Sequence, residues 1–190
     1  MEHLRTFIAI ALSDEIKKSF EQIQGSLLRT DADIRWVKPH NAHLTLKFLG
    51  ATLPEQVEQV KEVISRCCAE TDDFEIEVGR LGTFPRGKNP RVLWVGITRG
   101  VEQLQELQSR LDGGLIKIGF KPEARGFSPH ITLGRFRSAR GKQQFLEKIE
   151  KHENIECGRM AAGSVRFIRS TLTSSGPIYE NIFSASLKAV

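Results

Sequence analysis

The run His43-Leu44-Thr45-Leu46 returns 87 residues later (43 to 130) as His130-Ile131-Thr132-Leu133. A recurrence at a fixed offset constrains a fold more than any local pattern, because both copies must sit in equivalent structure. The flanks keep the same spacing. A strand-like run at 6–12 is matched at 92–98. A helical pattern at 14–29, with Ile16, Phe20, Ile23 and Leu27 on one face, is matched at 101–118 by Val101, Leu104, Leu107 and Leu111. The three- and four-residue spacing puts each set on a single stripe.

After each motif comes a second helical pattern. The first spans 54–70, opened by Pro54 and striped by Val57, Val60, Val63 and Ile64. The second spans 141–152, with Phe145, Leu146 and Ile149. Strand-like runs follow at 74–81 and 164–172, and a last strand at 179–187 closes the chain. Loops at 83–91 and 121–129 are rich in the breakers Gly and Pro. Each half therefore reads strand, helix, motif strand, helix, strand. The pattern predicts an α+β fold of two pseudo-symmetric lobes, with mainly antiparallel sheets flanked by helices around a central cleft. The whole chain, 1–190, is expected to form a single bilobal unit whose repeats cover about 6–82 and 92–172, with no flexible linker.

Composition narrows the partners. The chain has 28 Lys and Arg against 23 Asp and Glu, a formal charge of +5, with 39% hydrophobic residues. That is a globular composition with a mild lean toward anions. The apolar run near the N-terminus is short, has no small-residue cleavage site and is followed by Ser13-Asp14-Glu15, so it reads as a first strand rather than a leader. No apolar stretch approaches the ~20 residues that span a bilayer. Cys67, Cys68 and Cys157 are odd in number and form no Cys-x-x-Cys pair, which argues against a disulfide framework and leaves a reducing cytoplasm as the expected location.

In a strand, alternate residues share a face. His43 and Thr45 then point one way and Leu44 and Leu46 the other, and the same holds for His130 and Thr132 against Ile131 and Leu133. The aliphatic side suits a core; four polar groups on the other side suit a cleft. Two imidazoles, each titrating near ~6.5, can stand one protonated and one neutral at ordinary pH. One can take a proton from water while the other gives one to a leaving oxygen, and threonine hydroxyls can donate to the non-bridging oxygens of a phosphoester. This chemistry needs no metal and no cofactor. A zinc site of His40, His43 and His130 is the competing reading. It is disfavoured by the turn residues Pro39 and Asn41 and by the lack of Cys or carboxylate at ligand spacing.

The chain resembles the 2H phosphoesterase superfamily, named for two His-x-Thr/Ser-x motifs, and within it the RNA 2′,3′-cyclic phosphodiesterases, also called 2′-5′ RNA ligase-like proteins. The resemblance runs through Arg5-Thr6-Phe7-Ile8-Ala9-Ile10, Trp36-Val37, His43 to Gly50, Gly82-Thr83-Phe84-Pro85, Pro90 to Gly96, Phe127 to Arg135 and Gly176-Pro177-Ile178-Tyr179. It implies hydrolysis of an RNA terminal 2′,3′-cyclic phosphate to a 2′-phosphate, with His43 as proton donor and His130 as proton acceptor. Weak reverse 2′-5′ joining is permitted by microscopic reversibility. The implied partner is RNA with a cyclic phosphate end, tRNA fragments among its candidate sources, and the chain is expected to act as a monomer away from membranes. From the residues alone, either histidine can hold either role. An RNA-end-binding module and a small cyclic-nucleotide phosphodiesterase are the alternative functions.

Five more residues are candidates for substrate contact. Phe48 and Arg135 each follow their histidine by five residues and break the symmetry of the two motifs. Phe48 can stack on a base or pack in the core, and Arg135 can bind phosphate or lie over a base. Strict alternation turns both away from the histidines, and a bulge at Gly134 is one way to re-aim Arg135. Lys47, in phase with His43 and Thr45, is expected either to extend the positive field of the cleft or to be solvated. Arg5 and Tyr179 can reach the cleft or serve as surface charge and packing. Trp36 and Trp94 read as core aromatics, Arg86, Lys88 and Arg91 as a basic loop able to track an RNA backbone or simply solvated, and His3, His40 and His152 as surface residues.

Overall fold

The computed structural model describes residues 3–28, 30–124, 126–151 and 153–189. The elements follow in the order β1 (Leu4–Ala11), α1 (Asp14–Leu27), β2 (Ile34–Trp36), a 3₁₀ turn (Pro39–Asn41), β3 (His43–Thr52), α2 (Gln56–Ala69), β4 (Phe74–Phe84), β5 (Val92–Arg99), α3 (Val101–Lys117), β6 (His130–Phe136), α4 (Lys142–Lys151), β7 (Glu156–Ala162), β8 (Ser164–Thr173) and β9 (Gly176–Ser186). The expected α+β class holds, and the anticipated strands and helices lie within a few residues of their predicted bounds. Two strands are additional, the short β2 and the edge strand β7. Arg29 and His152, the expected last residues of two helices, lie outside the described residues, as does the surface position read for His152.

The strands form one antiparallel sheet in the order β7-β4-β5-β6-β3-β1-β8-β9, with β2 added on β6. Motif strands β3 and β6 are the central neighbours, paired only at Leu44↔Ile131. Four strands therefore lie on each side of a narrow seam. Chain order and space cross over at this point: β4 pairs with β5 from the second half, and β8 pairs with β1 from the first.

The helices cover the aliphatic side of the sheet. Helix α1 is capped by the Ser13 hydroxyl, which accepts from the Ile16 amide at 3.3 Å, and buries Ile16, Phe20 and Leu27. It packs on β7, while α2 packs on β8 and β9 and α3 on β3. Helices α2 and α3 touch through Gly114, where a Cβ would come within 2.7 Å of the Val63 side chain; glycine permits that approach. Buried leucines of α3 (Leu104, Leu107, Leu111, Leu115) meet Leu44, Leu46, Ile131 and Leu133 in one continuous core. Each such side chain, fully buried, contributes about 1.5–3 kcal/mol. No helix among the described residues is long and apolar enough to cross a membrane.

Candidate functional site

At the seam, Leu44 opposite Ile131 sends both side chains into the core. The same antiparallel register brings the flanking positions together on the other face, His43 across from Thr132 and Thr45 across from His130. Directly opposed residues in such a pair have Cβ atoms about 4.5–5.5 Å apart and diagonal ones about 7–8 Å. The two histidines are the diagonal pair, so the four side chains come together on one face of the seam.

Both rings are held in the same way. His43 Nδ1 lies 2.8 Å from the Asn41 carbonyl and His130 Nδ1 lies 2.7 Å from the Ser128 carbonyl, each two residues upstream. A carbonyl only accepts, so Nδ1–H is the donor in both and Nε2 is left to exchange a proton. Aromatic rings fix the rest. Phe7 stacks on His43 with centroids 4.6 Å apart, and Tyr179 meets it edge-on at 5.3 Å. His130 is met edge-on by Phe84 at 5.0 Å, with Trp94 tilted at 6.3 Å. Burial among these rings holds both imidazoles below their ordinary pKa. The backbone carbonyls oppose that shift, and at His130 the Arg135 guanidinium adds to it. Burial raises the Tyr179 hydroxyl, against Arg135 and Arg5.

Two matching bulges aim the next residues. In β3, Ile8 pairs with Lys47 and Ala9 with Thr45, which leaves Leu46 over. In β6, Leu93 pairs with Gly134 and Trp94 with Thr132, which leaves Leu133 over. One extra residue reverses the alternation. Phe48 and Arg135 therefore turn toward the histidine face, and both line the cleft. Phe48 is 62% exposed, so it is not a core aromatic. The bulge anticipated at Gly134 is present, with its counterpart in β3.

The same reversal corrects the reading of Lys47. It points to the helix side, is 3% exposed, and pairs with Asp112 of α3 while donating to the Lys121 carbonyl at 2.8 Å. It does not line the cleft. Arg5 and Tyr179 do line the cleft. Arg86 and Lys88 line a different cavity, beneath α4, together with Glu147, Glu150 and Glu153. His40 is exposed at the cleft rim. No cluster of three His, Cys, Asp or Glu side chains is placed to hold a metal ion among the described residues.

The cleft is asymmetric. A cavity of about 850 Å³ lies on the His43 side, bounded by β2, the 3₁₀ turn and the β8–β9 hairpin; His43, Thr45 and Thr132 line it and His130 does not. The residues that sequence reasoning missed are those behind the rings: Phe7, Phe84, Asn41, Ser128 and the cleft residue Arg35. A signal existed for one pair, since Phe7 and Trp94 are separated by the same 87 residues as the histidines.

Two His-x-Thr-x strands side by side at the centre of one antiparallel sheet, with imidazoles and hydroxyls on one face of the seam, define the 2H phosphoesterase class. Residues 12–170 match the model of the 2'-5' RNA ligase superfamily, and the chain belongs to that family. Its relatives include proteins named RNA 2',3'-cyclic phosphodiesterase. The one from Methanothermobacter thermautotrophicus is 34% identical over 94% of this chain and 96% of its own length, and that from Aquifex aeolicus 33% over 94% and 95%. In structure the chain is similar to TT0787 of Thermus thermophilus, with a TM-score of 0.85 at 24% identity over 98% of this chain and 99% of the other. It is also similar to E. coli LigT (TM-score 0.80, 23% identity, 98% and 99%), which supports the fold.

Proposed function

We propose that this chain hydrolyses the terminal 2′,3′-cyclic phosphate of RNA to a 2′-phosphomonoester, using His130 as base and His43 as acid without a metal ion. The observation that carries this reading is the pair of rings with Nδ1 tied to a backbone carbonyl and Nε2 free, set diagonally across one small space. Neutral His130 takes a proton from water as the oxygen attacks phosphorus. The bond from phosphorus to O3′ breaks opposite the attack, and protonated His43 gives its proton to O3′. Thr45 and Thr132 donate to the non-bridging oxygens as charge builds there. His130 ends protonated and His43 neutral, and proton exchange with solvent resets both.

The asymmetry of the cleft supports this division of roles. The nucleoside fits the cavity beside His43, which brings O3′ to that ring and leaves the His130 side for water. Phe48 offers a face to the base. The donor set supports metal independence, being two imidazoles and two hydroxyls. 2′-5′ joining follows the same path with a 5′-hydroxyl in place of water: His130 takes its proton, O5′ attacks phosphorus, and O3′ leaves with the proton of His43.

The deciding experiment supplies a nucleoside 2′,3′-cyclic phosphate in excess chelator and identifies the product isomer. A 2′-phosphate is expected, with His43→Ala and His130→Ala each folded and inactive. No turnover, or a 3′-phosphate product, would overturn the reading.

A further inference from the structure

Strands β2 and β6 pair so that Arg35 lies directly opposite Arg135. Opposed residues share a face, so both guanidiniums stand side by side on the wall of the cleft, and both line it. Like charges in direct cross-strand register are destabilising unless something lies between them. Among the described residues neither has a carboxylate within ion-pair distance, and no Asp or Glu lines the cavity. Some other arginines are paired, Arg80 with Glu153, Arg99 with Glu75, Arg110 with Glu106 and Arg159 with Glu77.

Position sets which anion the two arginines suit. Arg135 lies two ladder steps beyond Thr132 (Trp94 to Val92 on β5), about 7 Å along the strand. Along the strand that is roughly the reach of one ribose with an ester at each end. Past the two arginines, Arg35 Nη2 lies 3.6 Å from where a Cβ on Gly176 would be. The hairpin beyond exposes Leu172 (67%) and Ile178 (59%) to the same cavity. Apolar groups that face a cleft of purely positive charge suit the flat face of a nucleobase.

We propose that Arg35 and Arg135 clamp a phosphate carried on O5′ of the terminal nucleotide. In an RNA chain this is the phosphodiester to the preceding residue, whose base rests on Leu172 and Ile178. This rests on the proposed activity and makes the cleft a reader of the second phosphate from the end.

The test compares kcat/KM, in chelator, for adenosine 2′,3′-cyclic phosphate, its 5′-phosphorylated form, and the dinucleotide ApA ending in the cyclic phosphate. The 5′-phosphorylated form is expected to exceed the 5′-hydroxyl form about tenfold, through KM and less so as salt rises. Arg35→Ala should remove most of that ratio and Arg35→Lys restore part of it. The dinucleotide should gain further, and Leu172→Ser should lower only this additional gain. If all three substrates react equally, or if Arg35→Ala lowers all three alike, the clamp is overturned while the catalytic reading stands. If none reacts, it is the catalytic reading that fails. A gain confined to the 5′-monophosphate would assign the clamp to a free terminal phosphate and overturn the chain-reading role.

Discussion

Phe7 and Trp94 stand at matching places behind the two histidines, one 4.6 Å from His43 and the other 6.3 Å from His130, on strands that flank the motif strands on either side. Phe7 is buried and lies nearly parallel to the imidazole, so it both shields the ring from water and fixes its plane. Phe7→Ala removes that shield. Water then stabilises the protonated ring, so the His43 pKa is expected to rise toward ~6.5, read from its ring-proton NMR titration. Turnover should fall about 10- to 100-fold as the ring gains freedom to rotate, while the His130 titration stays in place.

The pH profile follows from the two lowered imidazoles. In the proposed scheme the active free enzyme carries one proton on the pair, with His43 charged and His130 neutral. Its population peaks between the two pKa values, and both lie below ~6.5. The kcat/KM profile is therefore expected to be a bell centred below pH ~6.5, falling on the acid side as His130 is protonated and on the alkaline side as His43 loses its proton. A bound cyclic phosphate anion favours both protonated forms, so the kcat profile should lie at higher pH. Arg135→Gln removes a charge that depresses His130, and the limb due to His130 should move up. A kcat/KM optimum above pH 7 would contradict the lowering of the two imidazoles by burial.

Lys47 and Asp112 separate stability from catalysis. Lys47 is buried and Asp112 half-buried between β3 and α3, and among the described residues the Lys47 ammonium is partnered by Asp112 and the Lys121 carbonyl. Asp112→Ala strands the charge and should cost about 3–5 kcal/mol, seen as a large drop in the denaturant midpoint. Lys47→Met with Asp112→Leu replaces both charges with apolar groups and should recover most of the loss. In each variant that folds, KM for a cyclic nucleotide is expected to change less than twofold, because neither side chain reaches the cleft. A KM rise of tenfold in the double variant would restore Lys47 to the cleft.

Much of this arrangement was legible in the chain. The recurrence of His-x-Thr-x marks the histidines and threonines, and alternation puts them on one face, because a strand carries its face in its period. The stripes of α1 and α3 were found by helical spacing, as Phe20 and Leu107, both fully buried, illustrate. Lys47 departs from the expectation for a physical reason: alternation holds only while the ladder is regular, and one extra residue at Leu46 inverts Lys47 and Phe48 before a second shift at Leu49 restores the phase. Phe48 was left undecided for the same reason. Strand β7 was missed because its exposed residues, such as Glu156 and Arg159, dilute the apolar signal at a sheet edge. Phe84 and Arg35 meet the site through pairings between distant segments, which no local pattern encodes.

Gly134 shows how the second bulge serves the cleft. A Cβ there would meet the Ile34 side chain at 2.6 Å, the Arg35 carbonyl at 3.3 Å and the Trp36 ring at 3.4 Å. Those atoms belong to β2, which is held on β6 by its ladder, by the Val37 amide donating to the Leu133 carbonyl at 2.9 Å, and by Gln24 Nε2 donating to both the Val37 and Leu133 carbonyls. Gly134→Ala must therefore push β2 outward, at an expected cost of about 1–3 kcal/mol. The core of the sheet remains, since β6 keeps its pairing with β5, so the variant should fold with a lowered melting temperature. Its kcat on adenosine 2′,3′-cyclic phosphate should stay within about threefold, because His130 and Thr132 precede the bulge. Arg35 is carried away from Arg135, so the advantage of a 5′-phosphorylated substrate should shrink severalfold, without any change in the charge of the cleft. An unchanged advantage in a destabilised Gly134→Ala protein would show that the register of the two arginines is not what holds the second phosphate.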